Sequence, residues 1–395
     1  MAEWTSLPLS DLATPDGLVG GPFGSLLVGR DYVEAGVPVI RGENLNHGRS
    51  VSGEFVYVTR DKFDRDLARS SAAEGDLIFT QRGTLGQVAM IESPAHVIYA
   101  VSQSQMRLRV DESRADALYI YYACRSPLFQ RQLADHAIST GVPHINLGIL
   151  RKLTVPVPPV TMQRAIAEVL GALDDKIAAN TRLVDTADHL AATTFASLLT
   201  GATSVPLSSV AQFVNGKAFT KDATGTGRVV VRIAELNSGI GGSTVYNDIE
   251  VSDQHVARPS DILFAWSGSL TLHRWYRSEA IVNQHIFKVI PNPDVPRWLV
   301  WGLIATKLQD FRAIAADKAT TMGHIQRHHL DEPVVMPHPE VVSAHDDMMS
   351  SLWTRALAAE QENLTLIETR DALLPALMSG TLRVDDAEHI VENVT

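Results

Sequence analysis

Two stretches far apart in the chain set hydrogen-bonding side chains among glycines. Gln81-Arg82-Gly83-Thr84-Leu85-Gly86 carries an amide, a guanidinium and a hydroxyl on one short turn, and Trp266-Ser267-Gly268-Ser269-Leu270-Thr271-Leu272-His273-Arg274 repeats the arrangement. Glycine lets backbone approach another surface closely. Guanidinium and carboxamide groups match guanine and adenine edges with two hydrogen bonds each. These residues therefore read as nucleic-acid contacts: Arg82 and Arg274 toward guanine edges or phosphates, Gln81 toward adenine, with Thr84, Ser267, Ser269 and His273 on the same loops. Arg41, Lys62, Lys217, Lys221 and Arg232 are candidates for the phosphate backbone, which positions a reader without specifying sequence. His144 and His324 occupy matched places later in each half and are candidates to face a groove.

Other chemistries lack their signatures. There is no Gly-x-x-x-x-Gly-Lys-[Ser/Thr], so Asn215-Gly216-Lys217 is not a phosphate-binding loop. An Asn-Pro-Pro-aromatic run is missing, Asn292-Pro293-Asp294 being the nearest approach, and so is any Glu-x-Lys. His324, His328 and His329 have spacing that could share an ion. The first half has Gly148-Ile149 where His328 and His329 stand, so no metal is assigned, and no cofactor is expected. The single cysteine, Cys124, allows no internal disulfide and reads as a small core residue in a reducing compartment.

Net charge is −11, which at first sight opposes binding to phosphates. The excess is segregated. Residues 340–395 hold three arginines against eleven acidic residues, whereas residues 201–339 hold thirteen basic residues against twelve acidic ones. The globular parts are thus free to present a basic face. No membrane span is apparent, and Met1-Ala-Glu-Trp-Thr lacks the features of a secretory signal, so a cytoplasmic location is expected.

The positioning elements are mixed. Short β-rich runs at Val37–Ile40, Phe55–Thr59, Asp76–Thr80, Val97–Val101 and Met106–Val110 precede a helix over Ala117–Leu133. Their counterparts are Val229–Ile233, Asp261–Trp266, Arg274–Arg277 and Ile286–Ile290, with a helix over Trp298–Ala315. An α+β domain with a curled sheet is expected in each half.

The halves are copies of one design. Leu7-Pro-Leu-Ser matches Val205-Pro-Leu-Ser, Gly75-Asp76-Leu-Ile-Phe matches Ser260-Asp261-Ile-Leu-Phe, and Thr140-Gly-Val-Pro-His144-Ile returns as Thr320-Thr-Met-Gly-His324-Ile. Each half ends in a long helix. Between Met162 and Gly201 the apolar positions Ile166, Leu170, Leu173, Ile177, Val184, Ala187, Ala191 and Leu198 step by threes and fours, interrupted by Asn180 and Thr194. Met349, Leu352, Ala356, Ala359, Leu366, Leu373 and Leu377 draw a second seam, and Leu377-Met378-Ser379-Gly380 echoes Leu198-Leu199-Thr200-Gly201. Such heptad seams predict a coiled-coil pair. Asn180, a polar residue in the seam, is a candidate to fix its register.

Gly20-Gly21-Pro22-Phe23-Gly24-Ser25-Leu26-Leu27, Gly75-Asp76-Leu77-Ile78-Phe79 with its following loop, the Pro-rich approach to a helix, and Arg370-Asp-Ala-Leu-Leu-Pro-Ala-Leu-Met-Ser-Gly380 resemble the specificity subunits of type I restriction-modification systems. The resemblance spans essentially the whole chain. It implies two target-recognition domains at residues 1–160 and 202–340, long helices at 161–201 and 341–382 that pair antiparallel, and an acidic tail at 383–395. It further implies that each domain reads one half of a split DNA target, and that the helices dock two DNA methyltransferase (modification) subunits and, through them, restriction and translocase subunits. The second half has Asn215-Gly216-Lys217-Ala218-Phe219 where the first has the Pro-Phe-Gly-Ser run, so different half-sites are expected. Two other classes stay open at this point: an enzyme with its own site, and a scaffold whose domains bind protein.

Overall fold

The computed structural model describes residues 4–45, 48–92, 95–138, 142–317 and 323–394. The matched Thr140 and Thr320–Met322 lie outside these residues. The chain divides into two compact units, Met1–Ala178 with Thr365–Thr395, and Ala179–Leu364.

In the first unit, an antiparallel four-stranded sheet runs in the order Ala13–Gly20, Gln105–Val110, Leu77–Thr80, Val88–Met90. A second, five-stranded sheet is centred on Val37–Ile40, which pairs in parallel with Tyr99–Val101. Thr5–Pro8 and Thr154–Val157 close the unit as a two-stranded ribbon. The expected curled sheet is thus two sheets. The strand Leu77–Thr80 is buried throughout because its alternating faces serve two cores. Leu77 and Phe79 enter the core beneath the helices, and Ile78 enters the one shared with Ile40 and Val101.

The second unit repeats this plan. Its sheet Ala211–Asn215, Ile286–Pro291, Ile262–Ala265, Thr271–Arg274 matches the first four-stranded sheet. Arg228–Val231 again pairs in parallel with Ala280–Val282. Ile262 and Phe264 face one core, and Leu263 and Ala265 the other. The strand expected at Arg274–Arg277 lies earlier, at Thr271–Arg274, because Leu270 to Arg274 completes the hairpin back along Ile262–Ala265.

The helix expected over Ala117–Leu133 is two helices, Ala117–Arg125 and Pro127–His136. Ser126 adopts extended backbone and its hydroxyl accepts the Phe129 amide, while Pro127 takes the first helical position, where its missing N–H costs nothing. The long helices are Val160–Ser197, of 38 residues, and Pro339–Met378, of 40. They run antiparallel. Ile166, Leu170 and Leu173 share a core with Leu366, Leu373 and Leu377, and Phe195 and Leu198 share another with Val342 and Met349. Gly201 and Gly380, at φ +72° and +68°, follow the two helix ends in the left-handed conformation that favours glycine. Most of the acidic segment 383–395 is helical. Val384–Glu392 is a helix whose Ala387 is buried in the first unit's core, with Val384 and Val391 beside it.

Candidate nucleic-acid interface

In the first unit the crossing from one sheet to the other falls at the turn Ser102–Gln105, and three loops hang from it. The Ser102 amide donates to the Ile40 carbonyl at 3.0 Å, which fixes the start of the Arg41 loop. The Ser104 carbonyl accepts the Gln81 amide at 2.7 Å and the Arg82 amide at 3.4 Å. The Gln103 amide side chain donates to the carbonyls of Gly24 and Leu27, at 2.9 and 2.5 Å. Gly21 donates to the Gln105 carbonyl, and a Cβ there would collide with the Ser102 carbonyl, which accounts for a glycine at that position.

His144 joins the cluster through a backbone bridge to Arg82, while Ile145 donates to the Gln81 carbonyl at 3.0 Å. Gly83, at φ +106°, turns the chain back with open space beside it. Arg82 and Thr84 are exposed, and among the described residues no partner holds the Arg82 guanidinium. Arg41 stands half-buried beside them in an ion pair with Glu43. Five of the sequence-derived residues, Arg41, Gln81, Arg82, Thr84 and His144, therefore gather around one turn.

The same hydrogen bonds recur in the second unit. The His285 carbonyl accepts the Trp266 amide, Ser267 bridges to His324 through the backbone, Gly268 donates to the Gly323 carbonyl, and Ile325 donates to the Trp266 carbonyl. Gly216 donates to the Ile286 carbonyl, and the Lys217 carbonyl accepts the Gln284 amide. Trp266, His285 and His324 form an aromatic group, with ring centroids 5.1 Å apart for Trp266–His285 and 6.3 Å for Trp266–His324, and Trp266 Nε1 donates to Asn215 Oδ1 at 2.7 Å. Lys217 and Lys221 are exposed. Ser269 is exposed and accepts a hydrogen bond from Asn237.

This pattern corrects the sequence-based pairing of Arg82 with Arg274. The structural counterpart of Arg82 is Ser267, itself buried, so its hydroxyl faces inward. Arg274 ends a strand, with its side chain 3% exposed. Its guanidinium binds both oxygens of Asp188 at 3.1 and 3.2 Å and Glu360 at 2.8 Å, and lies 4.8 Å over the Trp353 ring. Burial alone would lower its pKa, but the two carboxylates hold it above the ordinary value. A guanidinium buried and paired in this way is out of reach of a base. His273, on the same strand, is half-buried, its Nε2 lacks a hydrogen-bond partner, and burial holds its pKa below the usual imidazole value. Ser267, His273 and Arg274 thus leave the set of exposed readers.

Two backbone candidates are also committed elsewhere. Lys62 is largely buried and pairs with Asp66 at 3.0 Å and Asp31 at 3.5 Å. Arg232 spends its donors on Glu235 and on the Ser243 carbonyl, holding the short helix Ile233–Ser238. Glu235 is buried, which raises its pKa, but Arg232 outweighs this and keeps it below the ordinary carboxylate value.

Reading the sequence missed the turns themselves. Val101-Ser102-Gln103-Ser104 and Val282-Asn283-Gln284-His285 repeat the glutamine between strands, and that shared Gln was the available signal. Trp266 was passed over as part of a loop. The matched Gly75-Asp76 and Ser260-Asp261 prove structural. Asp76 is fully buried, accepts the Ala73 amide and binds Arg109 through both oxygens at 2.8 and 2.7 Å, and Asp261 accepts the Arg258 amide and pairs with Lys288. Gly75 and Ser260 both take positive φ.

Among the described residues, no group of three or more His, Cys, Asp or Glu is placed to hold a metal ion. His329 Nδ1 accepts the Gln326 amide as a helix cap. Cys124 is buried, and burial pushes its thiol pKa up. Among the described residues, no helix is long and apolar enough to cross a membrane.

Residues 25–186 match the family model of the type I restriction modification DNA specificity domain. Over 97% of its length the chain is 20% identical to the type I restriction enzyme MjaIX specificity subunit of Methanocaldococcus jannaschii, covering 94% of that protein. The MjaVIII specificity subunit of the same organism is 23% identical over 37% of this chain and 31% of its own length. A type I restriction-modification system S subunit from M. genitalium shares the fold, with a TM-score of 0.60 over 95% of this chain and 96% of that one, at 16% identity. The Arg41 and Gln81–Gly86 loops thus fall within the stretch that matches the type I restriction modification DNA specificity domain, and the chain as a whole is similar to type I restriction enzyme specificity subunits.

Proposed function

We propose that the chain reads a bipartite DNA target, one half-site per unit, and confers that specificity on the modification and restriction subunits of a type I complex. The observation that carries this is the repeated crossing turn. In each unit a glycine loop and a histidine strand are tied together beside it by the same hydrogen bonds, while the exposed side chains differ. A shared frame with unlike side chains is what two half-sites of different sequence require.

In the first unit Gln81 and Arg82 read base edges, with Thr84, His144 and Arg41 alongside. In the second, His324, Ser269 and the Trp266 group face the bases, with Lys217 and Lys221 on phosphates. Two methyltransferase subunits supply the methyl-transfer chemistry, and the specificity chain itself holds no cofactor.

Because base contacts specify and phosphate contacts position, two substitutions separate these roles in the complex reconstituted with its modification subunits. Arg82→Ala relaxes one half-site and leaves the other intact. Lys217→Ala weakens binding evenly across sequences and lowers its salt dependence by about one phosphate. Binding to duplex libraries reads both. Uniform weakening by Arg82→Ala would remove the base-reading role, and failure of the wild-type complex to bind any duplex would favour a protein-binding scaffold.

A further inference from the structure

Phe23 is 81% exposed, an unusual position for a phenylalanine side chain. It does not project from a loose end. The Gln103 side chain ties the loop down by the carbonyls of Gly24 and Leu27, and Gly21 is fixed against Gln105. Gln103 belongs to the turn whose next residue, Ser104, carries Gln81 and Arg82. A Cβ on Gly20 would come within 3.8 Å of the Gln81 side-chain oxygen. An exposed apolar ring is therefore anchored to the same turn that carries the Gln81–Arg82 backbone.

The second unit lacks this feature. There Ala218 follows Lys217, and Phe219 turns inward against the His255 ring at 5.6 Å, with its amide donating to Asn283 Oδ1 and its carbonyl accepting from Asn247. One copy of the frame packs its phenylalanine half-buried against the unit, and the other presents it.

We propose that Phe23 is an apolar wedge that enters the stacked bases of the half-site read by the first unit and opens one base step. Side chains of this kind partly unstack a step and kink the duplex, so the cost depends on the sequence being opened. Phe23 would then help specify a position that makes no hydrogen bond. The inference rests on the proposed DNA-reading role.

The test uses the full chain assembled with its modification subunits, on duplexes carrying 2-aminopurine at successive positions of the methylated target. With wild type, fluorescence rises at one step of a single half-site. Phe23→Ala abolishes that rise and weakens specific binding about tenfold, the order expected for one aromatic–base stack. Phe23→Trp retains the rise. Because the ring is exposed, neither variant disturbs the fold, which the circular dichroism melt monitors. Wild-type fluorescence and affinity in Phe23→Ala would overturn the wedge while leaving DNA reading intact. Loss of modification subunits from Phe23→Ala on size exclusion would overturn it in favour of a protein contact. Absence of specific binding by wild type would instead refute the reading role on which it rests.

Discussion

The arginines of this chain show how little residue type alone says about role. Arg82 sits on the turn beyond the buried strand Leu77–Thr80, with no partner for its guanidinium among the described residues, whereas Arg274 ends the strand Thr271–Arg274 and lies over Trp353 between two carboxylates. The Glu360 carboxyl has a raised pKa because burial outweighs the attraction of Arg274, whereas Arg274 stays firmly charged. Removing the guanidinium would leave Asp188 and Glu360 crowded and unpaired. Arg274→Ala should therefore destabilise the second unit by about 2–3 kcal/mol, below the usual cost of breaking a fully buried pair because Asp188 keeps water contact. It should leave the recognised sequence unchanged. A denaturant melt and methylation mapping check the two halves of this expectation; unchanged stability with a lost half-site would restore Arg274 as a reader. The sequence showed that both loops were polar and glycine-bearing, but it could not show which arginine the hairpin register turned inward.

Among the elements, the long helices were the most legible, because a seam of period 3.5 survives any detail of packing. Ile166, Leu170, Leu173, Met349, Ala356, Ala359, Leu366, Leu373 and Leu377 are all buried as the spacing requires. Asn180 is buried too, 5% exposed, and donates to Glu362 at 2.8 Å. Polar seam residues of this kind set register at a cost in stability. Asn180→Leu should raise the thermal midpoint by about 2–4 °C, equivalent to about 1 kcal/mol, and should loosen the register, visible as a shift in association state. No change in either would show that the Asn180–Glu362 contact is incidental. Less legible were details decided by a few residues. Ser126-Pro127 breaks one helix into two, and apolar residues every few positions draw the acidic segment 384–392 onto the core. Charge dominates that segment in composition, while Ala387 and Val391 decide where it goes.

Duplication organises the whole molecule. Two units with the same crossing turn, each carrying different exposed residues, are taken as two readers of unlike half-sites. The repeat was visible in the sequence through Gly75-Asp76 and Ser260-Asp261, although those residues turn out to hold the frame and read nothing. Sequencing the methylated positions in DNA modified by the chain together with its modification subunits decides whether the two units read separate half-sites. Two short specific sequences of different composition are expected, separated by a fixed number of unread base pairs, with Arg82→Ala degrading only one of them. Methylation at a single uninterrupted motif, or at two identical half-sites that respond equally to Arg82→Ala, would contradict this expectation.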